Sequence, residues 1–249
     1  MNEERHWNNI AKSYNEEIFD VFASDKKKLL HSYFNKHANS NGTAIDFGCG
    51  NGKALPYLSP RFKKVIGIDI SKELLKQAKA KQFQNATFLH RDLSKPKIQL
   101  PKVDFVFSCN VIMLPIVQKN KSMLKNVARA LKKGGSVVLV VPSAESILFS
   151  GWRLIDLYQR EGTSPQKIAS SELTYFKSKT EIVQGIFYID GVPTKHYSAP
   201  ELEVILTQAG MKLQRLEKLE YDWATEFASP PKWMQAPYPW DWLVECTKS

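Results

Sequence analysis

Hydrophobic and polar residues along positions 44–141 alternate between short apolar runs and stretches in which apolar residues recur at helical spacing. Short apolar runs indicate buried strands, and helical spacing indicates helices with one apolar face. The pattern predicts five strands, joined by helices near 54–58, from Ser71 and near 122–131, with the strands at 44–47, 65–70, 86–90, 103–108 and 136–141. Such alternation is typical of a doubly wound α/β fold, a parallel sheet with helices on both faces.

The residues before the first strand predict a helical lead-in. One helical face there carries only apolar or aromatic side chains, from Trp7, Ile10, Ala11, Tyr14, Ile18 and Val21. We expect this segment to form an amphipathic helix that packs on the main body. A second helix is predicted to begin at Ser24, a residue type that often caps helices, and to continue through Phe34.

The residues after the fifth strand predict cap elements and two further strands. The pattern indicates a helix over 146–160, a hairpin that turns at Asp190-Gly191, a helix that begins with the capping box at Ser198, and strands at 211–219 and 242–247. We therefore expect one domain over residues 1–249, composed of N-terminal helices (1–42), a ligand-binding core (43–142), an inserted cap that contributes to the substrate region (143–200), and a C-terminal helix with edge strands (201–249).

A glycine-rich loop follows the first predicted strand. It has three glycines at alternate positions, with Asp46 two residues before the first of them. Glycine readily adopts positive φ and lets the backbone approach a ligand closely, so the loop is expected to wrap around a bound molecule. A dinucleotide loop would have the spacing G-x-G-x-x-G, with its acidic residue well after the last glycine. A carboxylate at Asp46 instead suits a ligand that carries an ammonium group, and it would repel a pyrophosphate.

Polar side chains also follow the other strands of the predicted sheet. Asp69, Asp92 and Asn110 come at or just after the ends of the second, third and fourth strands. Ligands of parallel sheets bind at the carboxyl ends of the strands. A carboxylate at Asp69 can accept hydrogen bonds from both hydroxyls of a ribose, and one at Asp92 can accept from an adenine amino group. Each residue is also a common turn former, but their shared position at strand ends favours a binding site.

These residues resemble the motifs of class I, Rossmann-like S-adenosylmethionine-dependent methyltransferases. The stretch Asp46-Phe47-Gly48-Cys49-Gly50-Asn51-Gly52 resembles their first motif, and Leu131-Lys132-Lys133-Gly134-Gly135 resembles their turn before the fifth strand. The spacing of Trp7, Ala11 and Tyr14 resembles the opening of many small-molecule members. The resemblance covers roughly residues 5–142. It implies a mostly parallel seven-stranded sheet with an antiparallel edge strand.

The resemblance also implies the cofactor, S-adenosyl-L-methionine, with S-adenosyl-L-homocysteine as its product. It assigns Asp46 and the loop glycines to the methionine end, Asp69 to the ribose, and Asp92 with Leu93 to the adenine. The complete predicted cofactor set is Asp46, Gly48, Cys49, Gly50, Gly52, Asp69, Ile70, Asp92, Leu93 and Asn110. Many relatives carry a His or Asp shortly after the fourth strand, whereas this chain has Val111-Ile112-Met113-Leu114-Pro115, so no polar catalytic residue is assigned there.

Aromatic residues in the C-terminal half suggest the substrate side. The proline-rich stretch 221–239 contains Trp223, and we expect Trp223, Trp152 and Tyr197 to wall a pocket for a planar or amine-bearing acceptor. The alternative is that these rings only close the edge of the sheet. Tyr14 is expected over the cofactor or the substrate, or else within the packed helical face. Tyr14 and His196 are the candidates for a catalytic group, and the sequence assigns no base.

Charge and composition limit the possible functions. The net charge is +10, and residues 53–133 hold 18 Lys/Arg against 4 Asp/Glu, which suggests an RNA-binding surface. However, Lys72, Lys76 and Lys79 lie opposite leucines at helical spacing, as on a solvated helix face. Three function hypotheses remain: a small-molecule N- or O-methyltransferase, an RNA methyltransferase of the same fold, and a non-catalytic partner subunit that binds S-adenosylmethionine. We favour the first, with nucleic acid not expected as a partner.

Several other classes are not supported by the sequence. The three cysteines have no C-x-x-C spacing, and no His/Asp/Glu cluster has the spacing of metal ligands, so no metal is expected. No apolar run is long enough to span a membrane, and the polar start does not resemble a signal peptide. We therefore expect a cytoplasmic monomer or homodimer that acts on a small-molecule acceptor.

Overall fold

The computed structural model describes residues 3–249, and most of its strands form one seven-stranded sheet. The strands are β1 (Asn39–Phe47), β2 (Phe62–Asp69), β3 (Ala86–His90), β4 (Val103–Cys109), β5 (Leu131–Pro142), β6 (Ile186–Ile189), β7 (Val192–Lys195), β8 (Met211–Glu220) and β9 (Trp240–Lys248). The order in the large sheet is β3-β2-β1-β4-β5-β9-β8, while β6 and β7 form a separate antiparallel pair.

The strand directions confirm the predicted sheet. Strands β1 to β5 pair in parallel, and β9 runs antiparallel to both β5 and β8. The antiparallel strand is therefore second from the edge, and β8 forms the edge itself. This arrangement brings the first residues of β9 to the carboxyl ends of the parallel strands, because Asp241 pairs with Pro142 at the end of β5.

Helices cover both faces of the sheet. They are α1 (Glu3–Ile10), α2 (Tyr14–Glu17), α3 (Val21–Ser24), α4 (Leu29–Lys36), α5 (Leu55–Leu58), α6 (Lys72–Ala80), α7 (Val117–Ala130), α8 (Ala144–Arg160), α9 (Lys179–Val183) and α10 (Ala199–Gln208). Alternate residues of a strand point to opposite faces. Ile45 and Phe47 accordingly pack in a core with α7 and α10, whereas Ala44 packs in a second core with α4 and α5.

Serine side chains cap four helices of the described chain, and three of these helices begin next to the carboxyl edge of the sheet. Ser71 Oγ accepts a hydrogen bond from the amide of Leu74 at the start of α6. Ser143 Oγ likewise accepts from the amide of Ser146 at the start of α8.

Ser198 Oγ accepts from the amide of Glu201 at 3.3 Å, which is one half of the predicted capping box. The Glu201 carboxylate pairs with Lys195 at 2.7 Å instead of supplying the other half. These caps fix where α6, α8 and α10 begin, next to the carboxyl edge of the sheet.

The N-terminal prediction is wrong in its details. The expected single amphipathic helix through Trp7 and Val21 is divided into α1, α2 and α3. Ser24 ends α3 and does not cap α4, which begins after Lys28 in a left-handed conformation. The carboxylate of Asp25 supplies the cap instead, because its oxygens accept from the amides of Leu29 and Leu30 at 2.9 and 2.7 Å.

Two boundaries also differ from the prediction. The Gly-Gly turn expected before the fifth strand lies inside β5, where the pairing with β4 changes register between Val103 and Phe105. The hairpin at Asp190-Gly191 is confirmed, but Ile182, which was expected in its first strand, lies in α9. Within residues 3–249, no helix has the length and apolar character needed to cross a membrane.

Candidate functional site

A cavity of about 520 Å³ opens at the carboxyl ends of the central strands. Its wall includes the glycine loop after β1, the ends of β2 and β4, and the first residues of β9. Segments from α1, α2 and α3 and residues 221–226 close it from the sides. Sites for small molecules and cofactors have volumes of about 300–1,000 Å³, so this cavity has the size of a ligand site.

The cavity gathers nearly all of the predicted cofactor residues. The residues of that set that line it are Asp46, Gly48, Cys49, Gly50, Asp69, Ile70, Asp92, Leu93 and Asn110. Gly52 is the exception. A Cβ at Gly52 would lie 2.7 Å from Leu55 Cδ1 and 3.2 Å from Ala78 Cβ, and the residue has a φ of +80°. Gly52 therefore lets the loop pack closely on α5 and α6, and it does not face the ligand.

Asp69 holds the glycine loop in place. Its Oδ2 accepts a hydrogen bond from the amide of Gly50 at 2.8 Å, and its Oδ1 accepts from the amide of Ser71 at 2.8 Å. The amides of Gly48 and Cys49 both donate to the carbonyl of Ile68 on β2. The loop after β1 is thus tied to the end of β2 before any ligand binds.

Asp46 is a buried carboxylate whose charge is not neutralised by the protein. Only 3% of its surface is exposed, and Oδ2 has no hydrogen-bond partner within residues 3–249. Desolvation and the negative charge of Asp69 raise the pKa of Asp46 to about 7, although the charge of Lys81 opposes the shift. A buried polar group without a partner is unfavourable, so this carboxylate suits a ligand that brings a cation or a hydrogen-bond donor.

This position of Asp46 predicts that ligand binding depends on pH. If an ammonium group of the ligand pairs with ionised Asp46, protonation of the carboxyl removes the attraction as the pH falls through about 7. For S-adenosylhomocysteine, the ligand that the sequence resemblance implies, we expect the affinity to be about tenfold weaker near pH 6 than near pH 7.5 in calorimetric titrations. Asp46→Asn should bind weakly at every pH and lose this slope. A flat profile in the wild-type protein would contradict the pairing.

Tyr14 closes the glycine loop from the side of the lead-in. A Cβ on Gly50 would lie 2.5 Å from the Tyr14 hydroxyl, so the glycine leaves room for this ring. Desolvation and the nearby charge of Asp69 raise the pKa of Tyr14 well above its usual value. The hydroxyl therefore stays protonated near neutral pH and can donate a hydrogen bond within the cavity.

His196 also lines the cavity, next to the hairpin of β6 and β7. Its Nδ1 lies 3.0 Å from the carbonyl of Thr194, which assigns the proton to Nδ1 and leaves a lone pair on Nε2. Burial lowers the pKa of His196 to about 4, so the ring is neutral near pH 7. Within residues 3–249, no group of three His, Cys, Asp or Glu side chains is placed to hold a metal ion.

The three aromatic residues expected in the substrate wall lie elsewhere. None of Trp152, Tyr197 and Trp223 lines the cavity. Trp152 is 56% exposed on the outer side of α8, while Tyr197 and Trp223 are 1% and 0% exposed in the protein interior. Large rings gain most from burial in a core, and the sequence does not distinguish an aromatic core from an aromatic pocket wall.

The sequence did not identify several residues that complete the cavity. These are Phe22 from α3, Tyr221 and Glu226 after β8, and Trp240 and Asp241 at the start of β9. Asp241 Oδ2 accepts hydrogen bonds from the Tyr221 hydroxyl at 2.9 Å and from Asn110 Nδ2 at 3.2 Å. Asp241 could have been identified from its position at the start of β9. Because β9 runs antiparallel to β5, its first residues lie beside the carboxyl end of β5, where the site is.

Comparisons with known proteins agree with this arrangement. A family model described as a methyltransferase domain matches residues 44–135. A putative methyltransferase, 235L, of Invertebrate iridescent virus 6 is 32% identical over 109 residues, which are 43% of this chain and 40% of the viral protein. The chain thus spans about two fifths of the length of that relative.

Solved structures extend the similarity to the whole chain. A S-adenosylmethionine-dependent methyltransferase from Anabaena variabilis has a TM-score of 0.63 at 17% identity and covers 100% of this chain and 96% of its own. The N-methyltransferase NodS from Bradyrhizobium japonicum, solved with S-adenosylhomocysteine, has a TM-score of 0.60 at 12% identity, with 100% and 99% covered. At these identities the comparison shows a shared fold.

Proposed function

We propose that this chain, whose residues 44–135 match a methyltransferase domain, is a class I S-adenosylmethionine-dependent enzyme that transfers a methyl group to a nitrogen or oxygen atom of a small molecule. The observation that carries the proposal is the buried Asp46 carboxylate, which lacks a partner at Oδ2 and faces the same cavity as the glycine loop, Asp69 and Asp92. An ammonium group satisfies such a carboxylate, whereas a phosphate would be repelled by it.

The residues of the cavity fit this cofactor. Asp46 would pair with its amino group, and Gly48 and Gly50 line the cavity and let Val111 and Tyr14 pack closely against the loop. Asp69 keeps lone pairs on oxygens that already accept from backbone amides, and it would accept from the ribose hydroxyls. Asp92 and Leu93 line the cavity beyond the end of β3, where they would hold the adenine.

When bound, S-adenosylmethionine supplies a methyl group on a positively charged sulfur that reacts by a single in-line displacement. The protein therefore has to orient the acceptor and exclude water, and these effects account for much of the acceleration of such reactions. Tyr14, held against Gly50, covers the loop side of the cavity, and Asn110 begins the acceptor side. Neutral His196 and the carboxylates of Asp241 and Glu226 are groups on the acceptor side that can take a proton.

The size and the acidic, aromatic lining of the cavity favour a small acceptor over a nucleic acid. A volume of about 520 Å³ has to hold both the cofactor and the acceptor, and Phe22, Tyr221 and Trp240 line its wall. The RNA hypothesis rests on the excess of lysines in residues 53–133, and Lys72, Lys76 and Lys79 are exposed on α6. An RNA methyltransferase would bind RNA with an affinity that falls steeply as salt is added. The free thiols of Cys49, Cys109 and Cys246 fit the cytoplasmic location that we propose.

The cofactor assignment is tested by calorimetric titration of the full chain with S-adenosylmethionine, S-adenosylhomocysteine and NAD in parallel. We expect micromolar binding of both adenosyl ligands and no binding of NAD, because the loop lacks the dinucleotide spacing. Binding of NAD alone, or of none of the three ligands, would refute the proposed function. Cofactor binding without methyl transfer to any acceptor would instead support the non-catalytic partner subunit.

A further inference from the structure

The wall of the cavity is strongly acidic in a chain whose net charge is +10. Eight carboxylates line it, from Glu3, Glu17, Asp46, Asp69, Asp92, Asp190, Glu226 and Asp241. Lys53 is the one lysine or arginine among the described lining residues, and its ammonium group pairs with Asp20 at 2.9 Å. His196 adds no positive charge near neutral pH, because burial lowers its pKa to about 4. The carboxylates would therefore repel an anionic acceptor, and among the described lining residues there is no unpaired lysine or arginine to bind it.

Five of the eight carboxylates fall into two groups on different sides of the cavity. Asp46, Asp69 and Asp92 lie at or just after the ends of β1, β2 and β3, where the cofactor is placed. Asp241 lies on β9, which is separated from β1 by β4 and β5. Three strand spacings correspond to roughly 14 Å. The second group, Asp241 with Glu226, is thus on the acceptor side, and the cofactor does not account for it.

Asp241 has an unused oxygen and no cationic partner. Both of its hydrogen bonds, from Tyr221 and Asn110, go to Oδ2, and Oδ1 accepts none from the described part of the chain. No ion pair involves Asp241 within residues 3–249. Glu226 is an exposed side chain that lines the same cavity as Asp241, and desolvation and the charge of Asp241 raise the pKa of Glu226. A cation placed between them would relieve this repulsion.

Trp240 gives an independent sign that a ligand belongs here. Its side chain is 7% exposed and lines the same cavity, yet its indole N–H has no hydrogen-bond partner within residues 3–249. Buried indole N–H groups usually find an acceptor. The ring of Trp240 already carries the Lys218 ammonium 3.7 Å from its centroid. Tyr221 and Phe22 therefore supply the aromatic surface of the wall that can attract cations and apolar groups.

We propose that the methyl acceptor is a small amine, whose ammonium form is held by Asp241 and Glu226 while its apolar part lies against Tyr221 and Phe22. This inference rests on the proposed function and names the substrate class of its acceptor site. If the substrate also carries a hydrogen-bond acceptor, that atom would accept from the indole N–H of Trp240. Carboxylic acids and phosphates are excluded by the charge of the wall.

The reaction also needs the amine in its neutral form. The bound ammonium first gives one proton to Asp241 Oδ1, whose pKa is raised by desolvation, which leaves a neutral amine and a neutral carboxyl group. The nitrogen lone pair then forms the new C–N bond as the C–S bond breaks, and the electron pair of that bond stays on sulfur. The product is a methylated ammonium ion, and Asp241 returns its proton to water when the product leaves.

The inference is tested by binding of matched probes to the full chain saturated with S-adenosylhomocysteine. The probes are phenethylamine, 3-phenylpropionate and 4-ethylphenol, which share a ring and differ in the charge of their polar end. We expect phenethylamine to bind at least about tenfold more tightly than 3-phenylpropionate in ligand-observed NMR titrations, because only the amine can form charge-assisted hydrogen bonds with the wall.

Variants test which carboxylates hold the amine. Asp241→Asn should weaken phenethylamine binding by about 10- to 100-fold, and Glu226→Gln by less, while both keep the wild-type affinity for S-adenosylhomocysteine. Glu203→Gln, an exposed position on α10, removes the same charge outside the cavity and should change neither affinity. Circular dichroism and S-adenosylhomocysteine binding verify that each variant is folded, and Glu226→Gln decides the question if Asp241→Asn does not fold.

The outcomes separate this inference from the proposed function. Tighter binding of the carboxylate or the phenol, no binding of the amine, or amine binding that neither Asp241→Asn nor Glu226→Gln weakens would overturn the amine assignment. Each of these results leaves the proposed function standing as long as S-adenosylhomocysteine binds. Failure of the wild-type protein to bind S-adenosylhomocysteine overturns the proposed function itself.

Discussion

Gly48→Ala is expected to weaken S-adenosylhomocysteine binding by roughly 30-fold or more. Gly48 has a φ of +79°, and a Cβ there would lie 2.2 and 2.7 Å from the two Cγ atoms of Val111. The left-handed conformation costs an alanine about 1–2 kcal/mol, and overpacking adds about 1–3 kcal/mol. The loop can avoid this cost only by moving, and it then loses the position that holds Asp46 and Gly50 around the cofactor.

A matched glycine separates the two contributions. Gly134 has a similar φ of +72°, but no heavy atom lies within 4 Å of the place where its Cβ would be. Gly134→Ala should therefore lose about 1–2 kcal/mol of unfolding free energy from backbone strain alone, with unchanged S-adenosylhomocysteine affinity. Adding Val111→Ala to Gly48→Ala removes the two closest atoms and should recover part of the binding. If Gly48→Ala binds as the wild type does, the loop is not the cofactor cradle that we describe.

The sheet and the cofactor side could be predicted because local patterns determine them. Each parallel strand is a short apolar run, so the spans around Ile45, Ile66 and Val106 were recognisable without the structure. Asp46 and Asp69 follow their own strands directly, and a parallel sheet brings all such ends to one edge. The sequence therefore placed these two residues together before any tertiary contact was known.

The acceptor side could not be predicted in the same way because distant segments form it. Asp241 meets Asn110 across 131 positions of the chain, and the Tyr221 hydroxyl reaches the same carboxylate from the end of β8. No local spacing relates these three residues. Gly52 was misplaced for another reason, since a glycine required for close packing on Leu55 and Ala78 has the same signature as one required by a ligand.

The N-terminal lead-in shows how tertiary contacts override a helical pattern. The apolar face that begins at Trp7 has helical periodicity, but the chain turns at Ser13 and again at Asp20, whose side chain caps α3. The turns let Asn8 accept from the Ser71 hydroxyl and let Asn15 Oδ1 accept from the side-chain amide of Asn51. One straight helix could not follow the rim of the cavity and make both contacts.

Trp223→Ala is expected to cause the largest loss of stability among the variants considered, about 3–5 kcal/mol in the free energy of unfolding. Trp223 is 0% exposed, and its indole N–H donates to the carbonyl of Gln235 at 3.1 Å. Its ring centroid lies 5.6 Å from that of Phe149, and the Arg153 guanidinium carbon lies 5.6 Å from it. Truncation leaves a cavity and removes one of the two hydrogen bonds to the Gln235 carbonyl, which also accepts from Arg153 Nη2 at 3.2 Å. It also removes an aromatic contact between residues 222–239 and α8.

Trp152→Ala is the matched control, because Trp152 belongs to the same aromatic cluster but is 56% exposed. Its ring stacks on Phe149 with centroids 6.0 Å apart, so its removal should cost no more than about 1 kcal/mol in urea denaturation. Neither residue lines the cavity, so both variants that remain folded should bind S-adenosylhomocysteine normally. Equal stability losses in the two variants would contradict the structural role of Trp223. A Trp223→Ala protein that keeps its stability but loses phenethylamine binding would instead support the sequence-based prediction that Trp223 lines the substrate pocket.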